Sequence, residues 1–127
     1  MKDEKKKILI IDDEPGLLFS MVAFLEDEGF TVVGTSSGEE ALQYLITDKY
    51  DAVVVDVRLP GMDGNEVILK ALEKGCKAKF LIHTGSTDYV LPKTLIKYGF
   101  TKEDIFLKPL PDLDVISQAL HQRFKED

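Results

Sequence analysis

Five short apolar segments, separated by longer amphipathic ones, restrict the folds open to this sequence more than any other feature. Residues 8–11 are four consecutive apolar side chains, and residues 52–55 are an alanine followed by three valines. Strands buried on both faces have such continuous apolar runs. The other three segments are residues 31–33, 80–82 and 105–107. In the stretches between these five segments, apolar residues recur at helical spacing. The alternation predicts an α/β fold, a doubly wound five-stranded parallel sheet with right-handed crossovers and helices on both faces.

The segments between the predicted strands carry helix signals. Pro15 stands where a first helical turn begins, because proline fits the start of a helix. Ser37 followed by Glu40 predicts a capping box for a second helix. A third helix is predicted to stop near Gly75, and a closing helix covers residues 115–124.

The fourth helix is the exception to this pattern. It is expected within residues 85–104, where Pro92 and Gly99 both disfavour a long regular helix. We therefore expect a short or irregular helix that begins near Pro92.

Composition limits the class of protein. A chain of 127 residues with 44% hydrophobic residues fits one domain with a single core. We expect that domain to cover residues 1–127, with an ordered core from about residue 7 to about residue 125. The net charge of −7 argues against nucleic acid or an anionic membrane as a direct partner. It favours a cation, or a protein with a basic patch.

The cysteine content and the apolar runs of the sequence indicate the compartment. Cys76 is the only cysteine, so no internal disulfide can form, which is typical of a reducing compartment. The basic residues 1–7 precede only four apolar residues, too few for a signal peptide. No apolar run approaches the length that spans a bilayer. We expect a cytoplasmic protein.

Reactive side chains stand where the predicted strands end. In an open parallel sheet, ligands bind at the carboxyl ends of the strands, so these side chains are expected to converge on one edge. The residues concerned are Asp12, Asp13 and Glu14 after the first strand, Asp56 after the third, Thr84 after the fourth, and Lys108 with Pro109 after the fifth.

Such a group of carboxylates requires a compensating positive charge. Two like charges about 4 Å apart repel by roughly 4 kcal/mol at an effective dielectric constant of about 20. Mg²⁺, which binds one or two carboxylates and keeps several waters, suits this setting, and Lys108 supplies further positive charge. An aspartate beside a metal ion and a lysine can attack a phosphoryl group and form an aspartyl phosphate. Asp56 is the candidate nucleophile.

Four motifs in order resemble the receiver domain of two-component response regulators. They are IIDDE at 10–14, VVVDVRLPGMDG at 53–64, LIHTG at 81–85 and LKP at 107–109, and the resemblance covers essentially the whole chain. It includes a similarity to single-domain chemotaxis-type regulators. It implies a flavodoxin-like sheet with strand order 2-1-3-4-5.

The resemblance also implies a role for each matching residue. Asp56 would be the phosphoacceptor, Thr84 would hydrogen-bond the phosphoryl oxygen, and Lys108 would pair with the phosphoryl group. The peptide bond before Pro109 is often cis in this family. The implied Mg²⁺ ligands are Asp12, Asp13, Asp56 and the backbone carbonyl of Arg58.

The family resemblance further implies the partners. A histidine kinase or phosphotransfer protein would donate the phosphoryl group, and the domain would catalyse its own phosphorylation and hydrolysis. Phosphorylation would then change a surface that binds an unknown downstream protein or effector domain. The sequence fits both a stand-alone receiver and part of a longer polypeptide.

Plainer interpretations of some residues stay open at this point. Asp12 and Asp13 could instead cap the first helix. Gly61 and Gly64 are expected to form the turn into the third helix. We expect Glu14 to flank the site without binding metal, and His83 to be a packed histidine.

One position departs from the family pattern. Receivers usually have tyrosine or phenylalanine three residues before the conserved lysine, and this aromatic ring moves with the threonine. Here that position is Ile105, and the aromatic residue is Phe106. A shift of one residue along a strand turns the side chain to the opposite face of the sheet. The usual coupling between threonine and aromatic ring is therefore in doubt.

Three rival functions remain open. The first is a pseudo-receiver, a protein-binding module that keeps the fold without phosphotransfer, for which Ile105 is mild support. The second is a small aspartyl-phosphate hydrolase, against which no second general acid is visible. The third is a flavodoxin-like cofactor binder, which the acidic strand ends disfavour because they would repel an anionic cofactor.

Overall fold

The structure, a computed structural model, describes residues 5–126. The strands are β1 (Lys7–Ile11), β2 (Thr31–Thr35), β3 (Ala52–Val55), β4 (Lys79–Thr84) and β5 (Ile105–Leu107). The helices are α1 (Pro15–Asp27), α2 (Gly38–Thr47), α3 (Gly64–Glu73), α4 (Lys93–Ile96) and α5 (Asp114–Lys125). All paired strands are parallel, and their order in the sheet is β2-β1-β3-β4-β5. The predicted fold class and strand order are confirmed.

Two apolar cores, one on each face of the sheet, explain why β3 lacks polar residues. Val53 and Val55 pack with α2, α3 and Leu95 of α4. Val54, between them, packs with residues of α1 and α5 on the other face. Because successive side chains of a strand point to opposite faces, a strand covered on both sides must be apolar throughout.

Helix α2 forms only half of the predicted capping box. The Ser37 hydroxyl accepts a hydrogen bond from the backbone N–H of Glu40 at 3.0 Å, as predicted. The Glu40 carboxylate, however, accepts a hydrogen bond from the Thr35 hydroxyl instead of turning back to the cap. The sequence prediction missed this because β2 extends two residues beyond the predicted segment and brings Thr35 within reach of Glu40.

Helix α4 confirms the prediction of a short fourth helix. It has four residues and is preceded by Pro92 at the cap position. A 3-10 turn, Lys102–Asp104, follows before β5 and was not predicted. The segment 85–92, between β4 and α4, contains no helix or strand, so Thr84 is followed by an irregular loop.

The register of the strands aligns their carboxyl ends. Ile11 pairs with Thr35 on one side and with Val55 on the other. Backbone hydrogen bonds continue one residue further, from the Asp12 N–H to the Thr35 carbonyl at 3.1 Å and from the Asp56 N–H to the Ile11 carbonyl at 2.9 Å. The two aspartates therefore leave the sheet side by side.

Within residues 5–126, no helix is both long and apolar enough to span a membrane.

Candidate functional site

Three aspartates lie together at the carboxyl edge of the sheet. One carboxylate oxygen from each of Asp12, Asp13 and Asp56 lies within 4.8 Å of the others. Asp12 and Asp56 are 2% and 5% exposed, whereas Asp13 is exposed. The predicted cluster of acidic residues is therefore formed by neighbouring strands, and two of its members are almost removed from solvent.

Lys108 is the cation of this edge. Its Nζ atom lies 2.9 Å from Oδ2 of Asp12, 3.0 Å from Oε1 of Glu14 and 3.1 Å from Oδ2 of Asp56. Its backbone N–H donates to the Thr84 carbonyl at 2.8 Å, which continues the pairing of β4 with β5. The peptide bond to the following Pro109 is cis, in agreement with the resemblance.

The environment shifts the ionisation of both partners. Burial raises the pKa of the Asp56 carboxyl; the hydrogen bond and charge of Lys108 offset part of that rise, and the Asp12 charge adds to it. For Lys108, burial alone would lower the pKa, but hydrogen bonds to Asp12, Glu14 and Asp56 outweigh it and raise the pKa above its usual range. The ammonium is therefore charged at any physiological pH, while the Asp56 carboxylate is held in a setting that disfavours its charge.

Glu14 contacts the site more directly than its sequence position indicated. Its backbone N–H donates to Oδ1 of Asp12 at 2.9 Å, and its carboxylate accepts from Lys108. Glu14 is also the N-cap residue of α1, and its side chain makes no cap hydrogen bond. The alternative in which Asp12 or Asp13 caps α1 is wrong, because Glu14 occupies the cap position and Asp12 accepts from the Glu14 N–H, which lies before the helix.

Thr84 and Arg58 complete the lining of an open cleft of about 490 Å³ that also includes Asp56 and Lys108. The Thr84 side chain is fully buried, and its Oγ1 accepts from the backbone N–H of Ser86 at 3.1 Å. The backbone N–H of Arg58 lies 3.3 Å from Oδ1 of Asp56, and its guanidinium donates to the Ser86 hydroxyl at 3.0 Å. The structure thus places Thr84 and Arg58 beside Asp56 and Lys108 at this edge of the sheet.

Gly61 and Gly64 were both expected to form the turn into α3, but only Gly61 needs its conformational freedom there. Gly61 has φ of +75°, so it serves the turn as predicted. Gly64 instead begins α3, where a Cβ atom would stand 2.3 Å from the backbone oxygen of Asp56. Its N–H donates to the Val57 carbonyl at 2.9 Å. The absence of a side chain at Gly64 therefore lets α3 pack directly against the backbone that carries Asp56.

His83 is buried, as predicted, beside the site and not in it. Its side chain is 2% exposed, and neither ring nitrogen has a hydrogen-bond partner among the described residues. Burial, followed by the positive charge of Lys108, lowers its pKa to about 4. The imidazole is neutral at pH 7, so it is not a cation of the site.

Phe106 of β5 points to the opposite face of the sheet from Ile105, as the sequence predicted. Ile105 packs on the core that includes α2, α3 and α4, while Phe106 packs on the opposite core. In the register of β4 with β5, Thr84 pairs with Leu107, two residues beyond Ile105 and thus on the same face. No aromatic ring of β5 therefore lies on the face that Thr84 shares.

The sequence analysis gave no role to a contact between the loop after β4 and the first turn of α3. The Tyr89 hydroxyl lies 2.6 Å from Oδ1 of Asn65. Tyr89 stands in the loop after Thr84, and Asn65 follows Gly64. An aromatic residue directly after the polar run STD at 86–88 was the signal that could have identified it.

The acidic residues fit a divalent cation. Carboxylate oxygens of Asp12, Asp13 and Asp56 converge, and the single Lys108 ammonium cannot balance them together with Glu14. Hard cations such as Mg²⁺ prefer oxygen ligands of this kind.

Comparison with known proteins identifies the family. The family model for the response regulator receiver domain matches residues 8–121. The chain is 32% identical over 114 residues to the transcriptional regulatory protein YesN of Bacillus subtilis, an alignment that covers 87% of this chain. The chain spans 30% of the length of YesN, so it corresponds to one part of that regulator.

Solved structures agree with this match. The CheY-like receiver domain protein from Methanospirillum hungatei JF-1 has a TM-score of 0.76 and 27% identity, covering 98% of this chain and 100% of that one. TrrA from Thermotoga maritima, solved in complex with Mg²⁺ and BeF, has a TM-score of 0.77 and 27% identity, covering 92% and 97%. On the family match, the fold and these relatives together, the chain belongs to the response regulator receiver domain family.

Proposed function

We propose that this chain is a phosphorylation-dependent signalling switch in which Asp56 accepts a phosphoryl group from a histidine kinase or phosphotransfer protein. The observation that carries the proposal is the position of Asp56 at the base of an open cleft, 5% exposed, with Lys108 at 3.1 Å. A carboxylate in this setting is open to a phosphoryl donor, yet its negative charge is stabilised mainly by one ammonium.

The transfer itself needs little covalent chemistry from the protein. A bond forms between a carboxylate oxygen of Asp56 and phosphorus, while the bond from phosphorus to the donor's imidazole nitrogen breaks. The imidazole leaves with the electron pair and takes a proton from water. Lys108 can follow the negative charge from the carboxylate to the phosphoryl oxygens, and the Thr84 hydroxyl can donate to one of them.

Asp12, Asp13, Asp56 and the backbone carbonyl of Arg58 would hold Mg²⁺. When bound, Mg²⁺ supplies positive charge that screens the carboxylates from the incoming phosphoryl oxygens. Two hydrogen bonds orient the Asp12 carboxylate for this role, one from the Glu14 N–H and one from Lys108.

Phosphorylation would add about −1.5 to −2 charges at this edge. That charge would draw Lys108 and Thr84 toward Asp56 and shift an equilibrium between two surfaces, one of which binds a downstream protein or effector domain. We propose that this switching takes place in the cytoplasm and that residues 1–127 act as one receiver domain. In this role the chain catalyses its own phosphorylation and dephosphorylation and is not a conventional enzyme.

Intact-mass measurement tests the proposal. The protein is incubated with acetyl phosphate and Mg²⁺, beside Asp56→Asn and a sample containing chelator. We expect one labile phosphoryl adduct on the wild type and none on the variant or in chelator. A wild type that stays unmodified under conditions that phosphorylate another receiver would contradict the proposal and favour a pseudo-receiver.

A further inference from the structure

The loop after β4 meets the first turn of α3 beside the cleft, through a contact that none of the family motifs contains. The loop 56–63 carries Asp56 and leads into α3, and the loop 85–92 follows Thr84 and leads to α4. The Tyr89 hydroxyl donates to the side-chain oxygen of Asn65 at 2.6 Å. This hydrogen bond joins side chains that are 24 residues apart.

Each end of the contact is tied to a residue of the site. On the α3 side, Asn65 follows Gly64, which packs against the Asp56 backbone so closely that a Cβ atom would be 2.3 Å from its oxygen. On the other side, the Tyr89 N–H donates to the Ser86 carbonyl at 3.3 Å. The Ser86 N–H in turn donates to Oγ1 of Thr84 at 3.1 Å.

These contacts make a continuous path between two residues of the site. It runs from Asp56 through the start of α3 to Asn65, across to Tyr89, and back through Ser86 to Thr84. The loop 85–92 has no helix or strand to order it, so such links fix its conformation. A loop that is already ordered loses less conformational entropy when a ligand binds to it.

The Tyr89 ring lies on the face of the sheet opposite to the Phe106 ring of β5. It packs on the same core as Ile105, on the face of the sheet that Thr84 shares. The ring is partly buried, and burial, with a smaller contribution from the Asp63 charge, raises the pKa of its hydroxyl to about 12. The hydroxyl therefore stays protonated and can donate to Asn65 at any physiological pH.

We propose that Tyr89 is a positioning residue for Thr84, and that its hydrogen bond to Asn65 holds the loop after β4 in the conformation that receives the phosphoryl group. The proposal deepens the function proposed above and rests on it. Tyr89 touches neither the carboxylates nor the phosphoryl position; it acts through Ser86 and Thr84. In this chain the aromatic partner of the threonine comes from the loop and not from β5.

Beryllofluoride with Mg²⁺, which imitates a phosphoryl group on aspartate, is a direct probe of this arrangement. Its dissociation constant is measured by two-dimensional ¹H–¹⁵N NMR on the wild type, Tyr89→Phe and Asn65→Ala. Tyr98→Phe, at a half-exposed tyrosine just after α4, is the matched control. Since one hydrogen bond contributes modestly to a net equilibrium, we expect binding weakened about three- to tenfold in both test variants and unchanged in the control.

A double-mutant cycle separates positioning from general loss of structure. If Tyr89 acts through Thr84, then Tyr89→Phe should have little effect in a Thr84→Ala background, because the group that it positions is gone. Unchanged or tighter binding by Tyr89→Phe, or an equal loss in both backgrounds, would overturn the proposal. A wild type that binds no beryllofluoride would overturn the phosphorylation proposal, and this one with it.

Discussion

The Nζ atom of Lys108 lies 3.1 Å from Oδ2 of Asp56, although the two residues are 52 positions apart in the chain. Their strands are not neighbours in the sheet, because β4 lies between β3 and β5. The contact depends on the long lysine side chain, which reaches across the end of β4 to Asp56, Asp12 and Glu14. One ammonium therefore links the first, third and fifth strands.

Replacing Lys108 by methionine should destabilise the protein in the absence of divalent cations. Methionine keeps much of the apolar stem but leaves Asp12 and Asp56 buried without their cation, which should lower the free energy of unfolding by about 2–4 kcal/mol. Urea denaturation at pH 7 measures the effect. Lys97→Met, at an exposed position, should change stability by less than about 0.5 kcal/mol. Equal effects of the two substitutions would contradict the assigned role of the ammonium.

Asp56→Asn should stabilise the protein at neutral pH. The pKa of Asp56 is raised in the folded state, so the folded state binds the proton more tightly than the unfolded state does. Its contribution to stability is therefore greatest in acid and is lost as the pH rises through the folded pKa. Asparagine removes this cost of the ionised form, so the gain in stability should be greatest at pH 7 and smaller toward pH 4.

Thermal unfolding of Asp56→Asn across pH 4–8 without Mg²⁺ gives that comparison. Asp27→Asn, at an exposed position of α1, is the matched control and should show no such trend. An Asp56→Asn variant that is less stable at pH 7 than at pH 4, relative to wild type, would show that the assigned sign is wrong.

Gly64→Ala should displace the start of α3. A Cβ atom would stand 2.3 Å from the Asp56 oxygen and 2.9 Å from Cα of Val57, both backbone atoms that cannot move aside alone. We expect a loss of about 2–3 kcal/mol in stability. Gly16→Ala, where a Cβ atom meets nothing within 4 Å, should be neutral or slightly stabilising because alanine favours helix. Similar stabilities of the two variants would contradict the close packing of Gly64.

His83→Leu should increase stability, and more so in acid. The two unpartnered ring nitrogens are removed, which is worth about 1–2 kcal/mol at pH 8. The folded pKa of about 4 lies below that of an unfolded histidine, so the unfolded state binds the proton first. The wild type therefore loses stability as the pH falls below about 6.5, by about 2 kcal/mol at pH 5, and His83→Leu should not.

Imidazole NMR titration checks the same point directly. The chain has two histidines, and His121 is exposed. The His83 resonances should stay those of a neutral ring down to pH 5. A His83 that titrates near pH 6.5 would contradict its burial.

The alternation of apolar and amphipathic segments was enough to predict the sheet because strands covered on both faces leave a distinct pattern. Residues 52–55 were predicted and observed with the same limits. The limits of β2 and β4 were too short in the prediction because their last residues, such as Thr35 and Thr84, are polar. A polar residue at a strand end signals a turn as readily as a continuing strand.

The convergence of the site residues could also be predicted, since it follows from parallel strands ending at one edge. The partners of each side chain could not. Glu14 was expected only to flank the site, yet it shares Lys108 with Asp12. Which carboxylates a flexible lysine reaches depends on the exact separation of β1 and β5, and sequence spacing does not specify that distance. The contact between Tyr89 and Asn65 was missed for the same reason.

The central claim is that Asp56 itself carries the phosphoryl group. After incubation with acetyl phosphate and Mg²⁺, borohydride reduces an aspartyl phosphate to homoserine, and tandem mass spectrometry of the peptides locates it. We predict homoserine at position 56 alone, dependent on Mg²⁺. Homoserine at Asp12 or Asp13, or an unmodified Asp56 in a protein that carries the phosphoryl adduct, would contradict the account.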